Sequence, residues 1–400
     1  MEESHAAPGA LHGLRDRNRA QVIDVLRQTG MASRAEIARL AGLSRTTVSS
    51  LVVELQGSGL VMEVSGATAN GSRGRPAVLL ALQPAAGAVV GVDFGHTHLR
   101  VALADLSSRV LAERHRELDV DRAAEVALSA AAEVVAEVLE ESGIDRSRVV
   151  GVGMGLPGPV DRNTGTLGSS VILPSWAGLQ PARELERRLG LPINVDNDAN
   201  LGALGELSAG AARGHTDVIY LKLASGIGAG LILGGRLHRG VTGMAGELGH
   251  VLTNPDGPVC RCGNRGCLET VAAAPALLEL LRAAHGEDLT TRGLLRLAAD
   301  GDVGSRRVLA DAGRAVGRAV ADLVNTVNPA LVVVGGELGA AGEPLLDGIR
   351  ASIERYALPA ASDALEVVPG VLGDRAEVLG AIAHVITDTE RLSSAHLAVV

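Results

Sequence analysis

Cysteine is scarce in this 400-residue chain: there are three, all between positions 260 and 267. Three is too few and too crowded for a disulfide framework. Aromatic residues are nearly missing, with Phe94, Trp176, Tyr220 and Tyr356 the complete set. Any core must therefore be filled by Ala, Val and Leu. Lysine is rarer still, Lys222 standing alone among 37 basic residues. No long apolar run occurs: the longest uncharged stretch, 163–182, is broken by Pro174, Pro181 and several glycines, which excludes a spanning helix. A start at Glu2, Glu3 and His5 without an apolar segment does not read as a secretory leader, so a cytoplasmic, membrane-free protein is expected. Excess positive charge is absent too. With 46 acidic residues against 37 basic ones the net charge is −9, and the chain as a whole is no nucleic-acid-binding polycation.

A positive mean hydropathy rules out disorder over most of the chain, and the length suits two or three domains. The charge is uneven. Residues 1–80 hold nine arginines against seven acids, a balance of +2, which leaves −11 for the rest. Such asymmetry suits a small nucleic-acid reader on an acidic body, with the division near residue 83.

Within the first segment, Val22, Ile23 and Leu26 share one face of a helix expected from about Arg15 to Gln28 and stopped by Gly30. Ser33 followed by Glu36 is a capping-box pattern for a second helix on which Ile37, Ala38 and Leu40 can face inward. Gly42 makes a turn. Ser44 can cap a third helix to about Gln56, with Val48, Leu51, Val52 and Leu55 as its buried stripe. This is the helix-turn-helix pattern: small Ala38 lets two helices approach, Gly42 permits the turn, and Val48 and Leu51 anchor the recognition helix. Ser44, Arg45, Thr46, Thr47, Ser49 and Ser50 would then face base edges in the major groove. Residues 60–64 and 77–82 read as two strands around a tip from Gly66 to Pro76, a wing whose Arg73 and Arg75 could meet phosphate or a minor groove. The competing reading is a three-helix dimerisation bundle with solvated arginines.

The remainder alternates strands and helices. An apolar run at 88–92 ends in Asp93-Phe94-Gly95-His96-Thr97 before a second strand at 99–104. Glycine there admits a phosphate to the backbone, Thr97 can donate, and Asp93 can hold Mg²⁺ or water; an ordinary hairpin turn explains the same residues. A helix is expected from about Asp121 to Glu141, then a strand entering a Gly/Pro loop at 149–161. At 193–200 a short strand opens a helix through Asn197-Asp198-Ala199-Asn200, where a carboxylate could take a proton from a hydroxyl, or simply cap the helix. Residues 218–233 repeat the strand–turn–strand logic around Ser225-Gly226-Ile227-Gly228, a second phosphate clamp. A buried strand at 331–334 ends in Gly335-Gly336, where a nucleoside could lie against the backbone. Trp176 could stack on a sugar face, although a lone loop Trp reads first as packing.

Cys260, Cys262 and Cys267 lie within eight residues around two glycines, with His250 ten residues upstream of the first. Three thiolates and one imidazole complete a tetrahedral zinc shell, and a closed shell is structural. It would fix the loop carrying Glu247, His250 and Glu269. The bland reading is three unligated thiols.

The motif order Asp93-x-Gly95-x-Thr97, Asn197-Asp198-Ala199-Asn200, Ser225-Gly226-Ile227-Gly228, Glu247-x-Gly249-His250, Cys260 to Glu269 and Gly335-Gly336 resembles the ROK family of repressors, open reading frames and sugar kinases. The N-terminal module makes it similar to the transcriptional-regulator branch. The resemblance implies a winged helix-turn-helix over 1–82, then a two-lobed α/β actin-like ATPase fold over 83–400 with its cleft near 196–200. It further implies that Asn197, Asp198, Glu247, His250 and Glu269 hold sugar hydroxyls, that Asp198 is the general base in a kinase, and that His250, Cys260, Cys262 and Cys267 bind zinc. Asp93, Gly95, Thr97, Ser225, Gly226, Gly228, Gly335 and Gly336 would form the nucleotide side, with ATP and Mg²⁺ if the chain is catalytic. His96 departs from the kinase pattern, standing where a second glycine is usual, and Ser225 replaces a usual Thr. The expected function is a sugar-responsive DNA-binding regulator, a repressor released from operator DNA by a sugar or derivative, as a homodimer or homotetramer. The alternative is an ATP-dependent sugar kinase with a fused DNA-binding domain.

Overall fold

The computed structural model describes residues 15, 18–19, 21–26, 29–57, 59–64, 78–168 and 172–387. Helical residues between 15 and 29 bury Val22, Ile23, Val25 and Leu26, and Gly30, with φ of 71°, ends the run. Strand β1 (Ala32–Ser33) follows, a short element that the apolar spacing does not reveal. Ser33 then caps the helix Arg34–Ala41 as a capping box: its Oγ accepts from the Glu36 N–H, and its own N–H donates to the Glu36 carboxylate at 2.8 Å. Gly42 takes the left-handed conformation, φ 66°, that turns the chain into the helix Arg45–Gly57. Val48, Leu51, Val52 and Leu55 are the buried side of that helix, as the spacing requires, whereas on the preceding helix Ile37 and Ala38 are buried but Leu40, expected to face inward, is exposed. β2 (Val61–Val64) and β3 (Leu79–Leu82) pair antiparallel, and β1 joins on the far edge of β3. The module is a winged helix-turn-helix. The wing tip with Arg73 and Arg75 lies outside the described residues.

The body contains two five-stranded sheets of the same design. β4 (Ala88–Phe94), β5 (His98–Asp105), β6 (Val110–Glu117), β7 (Val149–Leu156) and β8 (Ile193–Asn197) lie in the order β6-β5-β4-β7-β8. β9 (Val218–Leu223), β10 (Ile227–Leu233), β11 (Arg236–His238), β12 (Leu331–Gly335) and β13 (Glu366–Pro369) lie in the order β11-β10-β9-β12-β13. In each, an antiparallel meander of three strands meets two strands parallel to the first. This repeated sheet is the two-lobed actin-like ATPase fold.

β4 and β7 are buried along their whole length because helices cover both faces, which is why their sequences are continuous apolar runs. The helix Ala124–Ser142 covers one face with Ala127, Leu128, Ala131, Val135 and Val138; it begins three residues later than the spacing predicts, after an extended Ala123. The helix Ala376–Ile386 covers the other. It lies so close that a methyl on Gly153 would overlap the Ala381 carbonyl, and one on Gly205 the Ala376 carbonyl. In the second lobe the long helix Val303–Val327 packs on Glu343–Tyr356 through Gly313 and Gly317. No helix among the described residues is long and apolar enough to cross a membrane.

Candidate functional site

Between the lobes lies a cleft of about 700 Å³. Its wall is assembled at strand ends, where a doubly wound α/β architecture presents loops and helix starts. β8 delivers Asn197, and the helix Asp198–Ala209 begins there. The Asn197 Oδ1 caps this helix, accepting from the N–H groups of Ala199 at 2.9 Å and Asn200 at 3.2 Å. The capping reading of Asn197 thus holds, and the residue lines the cleft as well. Glu247, His250 and Glu269, expected from separate motifs, line the same cleft as Asp198. The Glu269 carboxylate accepts from the Ile227 N–H at 3.2 Å and lies 3.4 Å from Arg261 Nε. Burial, then the nearby Asp198 and Glu269 charges, raises the Glu247 pKa to about 7. Near neutrality this carboxyl can therefore both donate to and accept from a ligand hydroxyl.

His250 faces two ways. Its Nδ1 is 3.6 Å from Cys260 Sγ, and its Nε2 is 3.8 Å from a Glu247 oxygen. Cys262 and Cys267 sulfurs are 3.7 Å apart, and the ligand atoms of all four residues lie within 4.8 Å of one another. A tetrahedron with metal–sulfur bonds of about 2.3 Å has sulfur–sulfur edges of about 3.8 Å. The donor set and its spacing fit a four-coordinate metal ion. Gly266 lets the loop fold this tightly: its φ is 67°, and a methyl there would overlap the Asn254 carbonyl.

The nucleotide side departs from expectation. Thr97, Gly95, Ser225, Gly226, Gly228 and Gly336 line the cleft, but Asp93 and Gly335 do not. Asp93 is buried at the end of β4, and its Oδ2 pairs with His98 Nε2 at 3.1 Å. Burial opposes its charge, but the His98 hydrogen bond together with the His98, Lys222 and Arg100 charges outweighs that and holds the carboxyl below its ordinary value. Gly335 backs onto Tyr220, whose ring would collide with any side chain there, so internal packing by itself requires the glycine. His96, expected to crowd the first phosphate turn, lines the cleft beside Gly95 and Thr97 and is tied to Asp121 at 2.7 Å. The ring against Gly95 is that of His98, which occupies the space a methyl would need. Trp176 is fully buried, edge-on to Phe94 at 5.4 Å with its indole N–H donating to the Val120 carbonyl at 3.0 Å; it packs, and does not line the cleft.

Among the cleft residues that escaped the motif reading are His98, Lys222 and Glu377. Lys222 carried a signal, as the one charge in the apolar strand Val218–Leu223. Such a charge must find a partner in the core. Its ammonium is 2.7 Å from Asp198 Oδ2 and 3.6 Å from Glu377 Oε1, which also accepts from the Tyr220 hydroxyl at 3.2 Å. Burial alone would lower the lysine pKa, but the Asp198, Glu377 and Asp93 carboxylates outweigh it and raise the value.

In the N-terminal module, Arg45, Thr46, Ser49 and Ser50 are exposed and Thr47 is half-buried. Ser44 is exposed too, but its hydroxyl is engaged as a cap: Oγ accepts from the Thr47 N–H at 3.1 Å and contacts the Thr46 and Thr47 hydroxyls at 2.8 Å.

The chain is similar to known proteins along nearly its whole length. A xylose repressor of Caldicellulosiruptor bescii is 30% identical over 390 residues, covering 94% of this chain and 96% of that protein. The crystal structure of a ROK family transcriptional regulator, a homologue of the E. coli MLC protein, superposes with a TM-score of 0.79 at 27% identity, covering 96% of this chain and 99% of that one. A ROK family glucokinase from Streptomyces griseus, solved with glucose and AMPPNP, has a TM-score of 0.66 at 32% identity but covers 74% of this chain, against 98% of its own. Residues 89–388 match the ROK family model, and the chain belongs to the ROK family.

Proposed function

We propose that this protein is a sugar-responsive, DNA-binding transcriptional regulator, a repressor that leaves its operator when a sugar or sugar derivative fills the cleft. One observation carries the reading: a winged helix-turn-helix and a cleft lined by Asn197, Asp198, Glu247, His250 and Glu269 lie in one chain, and regulator relatives match both parts. The glucokinase, though matched over 98% of its own length, covers only 74% of this chain, against 96% for the regulator structure.

In this reading residues 1–82 read DNA through Arg45, Thr46, Thr47, Ser49 and Ser50, with Arg73 and Arg75 of the wing on the backbone or in a minor groove. Residues 83–400 sense the sugar. Asn197, Asp198, Glu247, Glu269 and the His250 Nε2 would hold its hydroxyls. Zinc on the His250 Nδ1 and the three cysteine sulfurs would fix the loop that presents those side chains. The protein would work in the cytoplasm as a homodimer or homotetramer, since one module reads a short half-site.

A route for the signal is present. Glu377 reaches the cleft from the first turn of the helix Ala376–Ile386. Farther along, Val378, Ile382, Val385 and Ile386 join a single buried cluster that includes the apolar core of the N-terminal module. A sugar that repositions this helix would disturb the packing behind the DNA reader. Differential binding of ~1–3 kcal/mol between the two states suffices to relieve repression by one to two decades.

Gel-shift titration of the protein on DNA upstream of its own gene, with a panel of aldoses and amino sugars, tests the proposal. Binding that one sugar releases is the expected result; absence of binding to any such DNA refutes it.

A further inference from the structure

The lysine on the cleft floor joins groups from four separate elements. Lys222 belongs to β9, Asp93 to the end of β4, Asp198 to the start of the helix Asp198–Ala209, and Glu377 to the start of the helix Ala376–Ile386. All four side chains are withdrawn from solvent, from 1% exposure at Asp93 to 13% at Lys222. Three buried carboxylates converging without a cation would be strongly disfavoured, since burial deprives each of hydration and each repels the others.

We infer that Lys222 is a built-in counter-cation: it takes the charge-balancing place that a divalent metal would otherwise fill among Asp93, Asp198 and Glu377, and it withholds Asp198 from proton abstraction. The ligand class follows. The cleft takes its sugar ligand without Mg²⁺ or nucleotide. The identity of the ligand rests on the sensor reading above; the role of the lysine does not.

Three features support this. Both oxygens of Asp198 are already engaged, Oδ2 by the Lys222 ammonium at 2.7 Å and Oδ1 by the Ala199 N–H at 2.7 Å. A general base must accept a proton from the substrate hydroxyl, and an ammonium on the same carboxylate draws away the electron density that this needs. Asp93, the residue suited by position to hold Mg²⁺, is buried and already paired through Oδ2 with His98, and its Oδ1 has no hydrogen-bond partner among the described residues. The His98 ring also lies over Gly95, where a phosphate oxygen would have to approach the backbone. A magnesium nucleotide therefore does not fit the residues present.

The test uses the full chain, purified without chelators, with Mn²⁺ as the probe because it favours carboxylate ligands over the thiolate cluster. Lys222→Met should bind Mn²⁺ near one per chain, read as loss of the free-ion electron paramagnetic resonance signal and as a rise in Tm on addition of the ion. Wild type and Lys222→Arg should show neither response, and Lys222→Met/Asp198→Asn should lose it. If Lys222→Met folds only when expressed with added Mn²⁺, the rescue supports the inference equally. It is overturned by a folded Lys222→Met that ignores Mn²⁺, by a Lys222→Met that Mn²⁺ cannot rescue, or by Mn²⁺ binding to wild type that Asp198→Asn abolishes. Glucose-dependent ADP release by the wild type in a coupled assay would overturn the withholding of Asp198. None of these readings involves DNA, so failure of operator binding leaves them intact.

Discussion

The imidazole of His250 joins the cysteine cluster to the cleft, with Nδ1 3.6 Å from Cys260 Sγ and Nε2 3.8 Å from Glu247. A metal held on one side of the ring sets the direction of the nitrogen on the other. Replacing Cys262 with serine should bring zinc from near one per chain to near none by metal analysis. Sugar affinity, read by calorimetry, should fall by about 10–100-fold, the usual consequence of loosening residues that orient a site. Unchanged affinity in the zinc-free variant would separate the metal from the cleft.

Asn197 has two tasks that substitution can part. Asn197→Ala removes the cap on the helix Asp198–Ala209 and should cost about 1 kcal/mol in chemical unfolding. Asn197→Asp keeps an acceptor for Ala199 and Asn200 but loses the amide donor, so its stability should stay near wild type. Sugar binding should weaken in both. Retained binding in Asn197→Asp would remove the amide from the sugar contacts.

The recognition helix permits a similar division. Arg45 is exposed and Arg45→Ala should leave Tm unchanged while costing about 1–3 kcal/mol in operator affinity, the range for one base contact. Ser44→Ala removes the hydroxyl that accepts from the Thr47 N–H and should cost about 1 kcal/mol of stability. Equal Tm losses in both variants would contradict this assignment.

Gly153 lies where the first sheet meets the helix Ala376–Ile386. A methyl there must displace the backbone at Ala381, so Gly153→Ala should destabilise by about 1–3 kcal/mol, as overpacking does. The same helix carries Glu377, and the variant should also bind sugar more weakly by calorimetry. Wild-type stability would mean that the helix has slack the packing does not suggest.

Much of this protein is legible locally. The capping box at Ser33 and Glu36, the Gly42 turn, the stripe from Val48 to Leu55 and the continuous apolar runs of β4 and β7 each follow from short-range rules, because a side chain's exposure depends first on its own element's period. The four-residue cluster that could hold a metal is legible for the same reason, since three of its members lie within eight positions. Other features depend on distant parts meeting. His98 lies over Gly95 only because the β4–β5 turn brings its ring back to Asp93, and the motif alone points to the neighbouring His96 instead. Gly335 reads as a nucleotide residue until Tyr220, on the adjacent strand β9, is found filling the space behind it.

From its residues alone, then, this chain declares a DNA-reading module, a family of sugar-handling folds and a thiolate–imidazole cluster, all of which rest on near-neighbour spacing. Packing alone decided that the single lysine closes a circuit of charge with positions 93, 198 and 377. Electrostatic compensation acts through space across the junction of two lobes, and no local periodicity records it.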